Sequence, residues 1–184
     1  MGNRRMGLAR FEALLEAVDR DLNLVNSTLT NCAITTSAAC TFTGTFSFKR
    51  TVLAKTANYT VLEADSGKII QVNPAATTLI QLPQASSVGA GWNITIVLTE
   101  DDGGAMDQIV NIGTHAGEFF NGILVGADAG GSVIANGTSN DFINCKATAT
   151  SGERFDIYSD GTRMHATGIV IDVSDTLFAD SAAS

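Results

Sequence analysis

Only one stretch of this chain, Leu8 to Val25, reads as a helix of any length; everything after it reads as strand and turn. Within LARFEALLEAVDRDLNLV, the residues Leu8, Phe11, Leu15, Val18, Leu22 and Val25 are spaced alternately three and four apart, which places all six on one stripe of an α-helix. The stripe has the form of a coiled-coil seam, with Leu8, Leu15 and Leu22 at a positions and Phe11, Val18 and Val25 at d. Leucine at a before bulky or β-branched residues at d reverses the arrangement that parallel dimers favour, so a higher order such as a trimer is expected. A helix of this size is more often packed on its own domain. Here no second helix follows, so the stripe needs a sheet or a partner chain. Glu12 and Asp19 at e and Asp21 at g give repulsion instead of complementary pairing, and about two and a half heptads are marginal alone. The helix is therefore expected to be held by a trimer, by a larger particle, or by both.

The chain has 184 residues, 18 Gly, 2 Pro and 45% hydrophobic residues, enough to bury one sizeable core. Charged residues make up 16%, below the roughly 25% of ordinary soluble domains, and small polar residues take their place. The net charge of −8 is unevenly spread: residues 31 to 184 carry 7 Lys and Arg against 15 Asp and Glu. Affinity for phosphates needs clustered cations, so nucleic acid is not an expected partner. Arg4, Arg5 and Arg10 precede any acid and suit an acidic protein surface. Glu12, Glu16, Asp19, Arg20 and Asp21 interrupt the stretch Leu8 to Val25, which argues against a signal sequence or membrane span, so synthesis in a cytoplasm is expected. Cys32, Cys40 and Cys145 are odd in number and lack metal-ligand spacing, so neither a disulfide framework nor a zinc site is expected; the alternative is a Cys32–Cys40 pair formed after release from a cell.

Four segments are expected: residues 1–25, a basic tail and docking or trimerising helix; 26–50, an extended neck; 51–174, a β domain; and 175–184, an acidic tail. In the neck, Phe42, Phe46 and Phe48 share one face of a short strand and would pack on symmetry mates or on the base of the β domain. In the β domain, Tyr59 to Ala64 and Lys68 to Val72 flank Asp65-Ser66-Gly67 and read as a hairpin. Thr78 to Leu82 lies between Pro74 and Pro83, and Trp92 to Leu98 alternates as a buried strand. Further strands are expected at Gln108–Ile112, Gly117–Val125, Ser132–Ala135, Asn140–Ala149, Arg154–Ser159 and Met164–Val173, the last two joined by Ser159-Asp160-Gly161-Thr162. Roughly nine short strands without intervening helices indicate a mainly β chain, a β-sandwich or jelly roll preceded by one amphipathic helix and the neck. In the tail, Leu177 and Phe178 are expected to rest against a neighbour.

The run from Tyr59 to Asn73, followed by Leu79-Ile-Gln-Leu-Pro83, Gly91-Trp92 and Ile157-Tyr-Ser-Asp-Gly-Thr162, resembles the β domains of tailed-bacteriophage decoration and head-fibre proteins. The opening Met1 to Arg10 is similar to that of small structural proteins of phages of marine bacteria. The resemblance implies a homotrimeric, non-enzymatic virion protein on the capsid surface, attached by its N-terminal segment to the major capsid protein or another virion protein. The short distance between helix and β domain favours decoration over a fibre, the alternative being a short fibre or vertex protein whose β tip binds a host receptor or glycan. For such a tip, Phe119, Phe120 and Tyr158 are the candidate aromatics. The expected interface residues are Arg4, Arg5, Leu8, Arg10, Phe11, Leu15, Val18, Leu22, Val25, Phe42, Phe46 and Phe48. No catalytic residue or cofactor is expected: His115 and His165 are the two histidines, and the motifs of zinc hydrolases, nucleophile elbows and phosphate loops are missing. Glu100, Asp101, Asp102 and Asp107 offer oxygen ligands for Ca²⁺ but read more simply as a solvated loop.

Overall fold

The computed structural model describes residues 49–101, 104–127 and 131–183, which belong to one unit, Ser47–Ser184. Its described part is mainly β. Twelve strands run in order β1 (Val52–Lys55), β2 (Tyr59–Thr60), β3 (Ile69–Val72), β4 (Thr78–Gln81), β5 (Ala90–Leu98), β6 (Val110–Gly113), β7 (Phe120–Gly126), β8 (Ser132–Asn136), β9 (Phe142–Cys145), β10 (Arg154–Asp160), β11 (Met164–Val170) and β12 (Thr176–Ala179). Seven form one sheet in the order β1-β3-β5-β10-β11-β7-β8, and five form a second in the order β12-β9-β6-β4-β2.

The first six strands alternate between the sheets, and each pairs parallel with the strand two places away in sequence. A parallel pair needs a crossover, which is usually a helix. Here a strand of the opposite sheet makes it. This overturns the hairpin expected around Asp65-Ser66-Gly67: β2 and β3 lie in different sheets, and a 3₁₀ turn, Glu63–Asp65, bends the chain from one to the other. The turn chemistry was as expected, since Gly67 has φ +78°, but a positive φ turns a chain without choosing its next partner. The expected strand to Ala64 stops at Thr60 for the same reason. The antiparallel wiring of a jelly roll therefore does not describe β1 to β6. Three further differences stand beside this one: a short helix α1, Ala85–Val88, precedes β5, and β1 and β12 are strands where none was expected.

Parallel register stacks like on like. In the larger sheet, Leu53, Ile70, Ile96, Phe155, Gly168, Leu124 and Val133 form one inward row. In the smaller sheet, Tyr59, Ile80, Ile112, Ile143 and Phe178 form another. Both rows enter one core, and Phe120 of the larger sheet meets Phe178 of the smaller with ring centroids 5.8 Å apart. Phe178 thus packs within its own unit and not against a neighbour as the sequence suggested. Glycine serves the packing at two points. A Cβ at Gly168 would lie 2.5 Å from Leu124 Cδ2 and 2.9 Å from Phe155 Cδ1, and one at Gly122 would lie only 1.8 Å from the Ala166 carbonyl oxygen.

Buried polar groups tie the strands together. The Glu153 carboxylate, 3% exposed, accepts from the Ile171 and Thr150 amides and from the Thr176 hydroxyl at 2.6 Å, which fastens β12 to the turns beside β10. Asp65 accepts from the Tyr59 hydroxyl (2.7 Å), the Leu62 amide (2.9 Å) and Lys68 Nζ (2.8 Å). Burial pushes the Asp65 carboxyl up, but these three donors outweigh it and hold the group below the usual carboxylate range. The same hydrogen bond, with burial and the Asp65 charge, raises Tyr59 to about 12. Cys145 is a fully buried thiol whose ionisation burial pushes far up, so it behaves as an inert core residue.

Two predictions follow from this packing. Gly122→Ala should cost on the order of 3 kcal/mol in denaturant unfolding and Gly168→Ala about 1 to 2, because a carbonyl yields less than two side-chain tips; the reverse order would refute the packing described. Tyr59 and Tyr158 are the two tyrosines, so a Tyr158→Phe chain reports Tyr59 alone. Its phenol should ionise near 12. Since the folded value lies above the unfolded one of about 10, this contribution is complete below pH 10 and disappears as pH rises toward 12. Ionisation at an unshifted pH would show that Asp65 does not hold the phenol.

Candidate functional site

The outer faces of the two sheets differ. On the smaller, Asn111 and Asn144 stand side by side across β6 and β9. Asn111 donates to the Ala183 carbonyl (3.1 Å) and accepts from its amide (2.9 Å), and Asn144 donates to the Ser181 carbonyl (2.7 Å). The last described residues therefore lie over this face, and both asparagines are buried beneath them. On the larger sheet, β11, β7 and β8 present Ile169 beside Val125 and Ile123 beside Ile134, with Thr167 completing the rows. Ile134 is 69% exposed, Ile169 65% and Val125 45%. None of these side chains is charged. The patch ends at β10, where Arg154 grips Asp156 through two bonds of 3.0 and 2.9 Å and Thr95 donates to Asp156 at 2.6 Å. Burial raises the Asp156 carboxyl, but Arg154 and Thr95 outweigh it and hold it low.

One end of the unit gathers the polar chemistry. The β10–β11 hairpin turns at Gly161, φ +89°, as the Ser-Asp-Gly-Thr sequence predicts. Asp160 Oδ1 accepts the amides of Thr162 (2.7 Å) and Arg163 (2.8 Å), while Oδ2 lies 2.7 Å from His165 Nε2. The His165 contact, then the two amides, lower the Asp160 carboxyl to about 2. His165 also stacks on Tyr158, with centroids 4.8 Å apart and rings 10° from parallel.

Beside this hairpin, the turns before β7 and after β8 enclose an open hollow of about 310 Å³, lined by Gly117, Glu118, Phe119, Gly137, Thr162 and Arg163. Thr114 fixes the first turn by donating to the Glu118 carbonyl at 2.7 Å. Both Glu118 carboxylate oxygens lie 3.1 Å from the Ala85 amide, and Ser159 donates to the Ala85 carbonyl, so α1 links Glu118 to β10. Arg163 crosses Gly137: a Cβ there would lie 2.7 Å from the guanidinium. Among the described residues the Arg163 guanidinium forms no ion pair. A larger hollow of about 360 Å³, between Thr56–Asn58 and Ala75–Thr78, is lined by small neutral residues and offers less chemistry.

Of the aromatics expected at a tip, Phe119 lines the hollow, Tyr158 lies on the nearby sheet face, and Phe120 is core. Glu118 and Arg163 were not singled out from the sequence; a cation in a strongly acidic stretch was the available signal. The expected interface residues Arg4, Arg5, Leu8, Arg10, Phe11, Leu15, Val18, Leu22, Val25, Phe42, Phe46 and Phe48 lie outside the described residues, as do Cys32 and Cys40. In the acidic loop Asp102 is likewise outside them, while Asp101 accepts from Asn73 at 2.9 Å. Among the described residues no group of three or more His, Cys, Asp or Glu is placed to hold a metal, and no helix is long and apolar enough to cross a membrane.

The Asp160 carboxyl supplies a pH test. Its folded value lies below the ordinary value of about 3.9, so it stabilises the fold above about pH 4, and that contribution is lost as pH falls toward 2. Asp160→Asn should therefore narrow the stability difference from wild type on acidification, measured by thermal unfolding between pH 5 and 2; a difference independent of pH would contradict the Asp160–His165 contact.

No family model, no curated protein and no solved structure matches this chain.

Proposed function

We propose that this chain is a non-enzymatic structural protein of a virus particle, a capsid decoration protein that forms a homotrimer. In this reading residues 1–25 form a basic tail and an amphipathic helix that dock on the major capsid protein or another virion protein. Residues 26–50 form an extended neck, and a sandwich-like β unit faces outward from the capsid.

The observation that carries the reading is the uncharged apolar patch of Ile123, Val125, Ile134 and Ile169 on the larger sheet. Exposed patches of this kind mark contact surfaces. Its proposed occupant is a second copy of the chain. Copies with a net charge of −8 repel one another, so they approach at least cost through a neutral face. The smaller sheet already has the C-terminal residues across it, which leaves the larger sheet as the one such face among the described residues. A parallel coil formed by the Leu8 to Val25 stripe would likewise join three copies of the chain. The alternative, a receptor- or glycan-binding β tip, draws support from the hollow at Arg163.

Light scattering at micromolar concentration should give three times the 19.1 kDa of one chain; a monomer would defeat the proposal. Ile134→Asp with Ile169→Asp should reduce the trimer, because each buried unpaired charge costs several kcal/mol, and Leu15→Asp with Val18→Asp should do so through the helix. Deleting residues 1–25 should abolish binding to particles stripped of this protein while leaving the β spectrum unchanged. Full occupancy by the truncated chain would move attachment to the β unit.

A further inference from the structure

We propose that the hollow beside the β10–β11 hairpin binds one unit of an acidic saccharide. Arg163 would hold its carboxylate, Phe119 the apolar face of its ring, and Glu118 and Thr162 its hydroxyls. The site is built on fixed parts. Asp160 receives two amides of the hairpin that carries Thr162 and Arg163, and Thr114 and the Ala85 amide hold the turn that carries Glu118 and Phe119. Groups preorganised in this way bind without losing much freedom.

The chemistry selects the ligand class. A planar guanidinium matches a carboxylate with two parallel bonds, and that of Arg163 is uncommitted among the described ion pairs. Gly137 leaves it room, since any side chain there would collide with it. The Glu118 oxygens, which share one amide, retain lone pairs for hydroxyl donors. Residues 31 to 184 carry 15 acids against 7 bases, so a singly charged carboxylate is admitted more readily than a phosphate. The hollow, about 310 Å³, lies at the low end of the range for small-molecule sites of roughly 300–1,000 Å³. That is room for one sugar unit and not for a long chain.

The test titrates full-length, ¹⁵N-labelled protein with methyl β-glucuronide and follows the Gly117, Phe119, Gly137 and Arg163 amides. Saturable shifts confined to these residues are expected, with Kd on the order of 1 mM. Arg163→Ala should weaken binding at least tenfold and Arg163→Lys by less; Lys146→Ala, remote from the hollow, should bind as wild type. No shift at 20 mM glucuronide, an equal response to neutral methyl β-glucoside or to alanine, or unchanged binding by Arg163→Ala would each overturn the proposal. A circular dichroism spectrum confirms that each variant is folded. Light scattering on the same samples reads trimer formation separately, so failure here and failure of the assembly proposal are distinguishable.

Discussion

The structure depends on parallel, in-register stacking across β1 to β6. Two strands of one sheet can run parallel only if the chain returns to its starting end between them, and this chain returns through the other sheet. Each return adds one residue to an inward row of each sheet, and so Leu53, Ile70 and Ile96 stack in one sheet while Tyr59, Ile80 and Ile112 stack in the other. Neither row can be buried alone, because an open sheet exposes the face that carries it. The strands β7 to β12 then extend both sheets and continue both rows, ending in Val133 and Phe178.

Because the inward rows of both sheets enter one core, function must arise on the outward faces and at the strand ends. The smaller sheet's outer face carries amides, and Asn111 and Asn144 use them to hold backbone from residues 181 to 183. The larger sheet carries isoleucine and valine in the equivalent positions of β7, β8 and β11 and has no such cover among the described residues. The polar hubs also explain the placement of the Arg163 hollow. Ser159 and Glu118 both bind Ala85, so the short helix α1 couples the end of β10 to the turn before β7.

Much of the strand content was legible from periodicity. Trp92 to Leu98 and Arg154 to Ser159 alternate apolar and polar residues, and the Ser-Asp-Gly-Thr turn between β10 and β11 forms the hairpin its composition implies. Other elements left weaker traces. β12 has four residues inside a small-residue, acidic stretch, and Phe178 looked like a foothold for a neighbour because nothing local says which surface it fills. Glu118 and Arg163 lie 45 positions apart in sequence, and neither belongs to a spacing motif, so only the fold places them around one hollow.

By itself the sequence determined that residues after Thr51 form short strands, that Gly67 and Gly161 sit in turns, and that the chain is acidic beyond its N-terminal arginines. These are local properties, set by side-chain alternation, by glycine's access to positive φ and by charge counting. Only the tertiary structure decided that β2 and β3 separate into different sheets, that β1, β3 and β5 pair parallel, and that Gly122 admits a carbonyl where any side chain would collide. The physical reason is the same for all three. A strand's hydrogen-bonding edges are chemically alike whatever its sequence, so its partner is chosen by which arrangement buries every inward row at once, and that is a property of the whole unit.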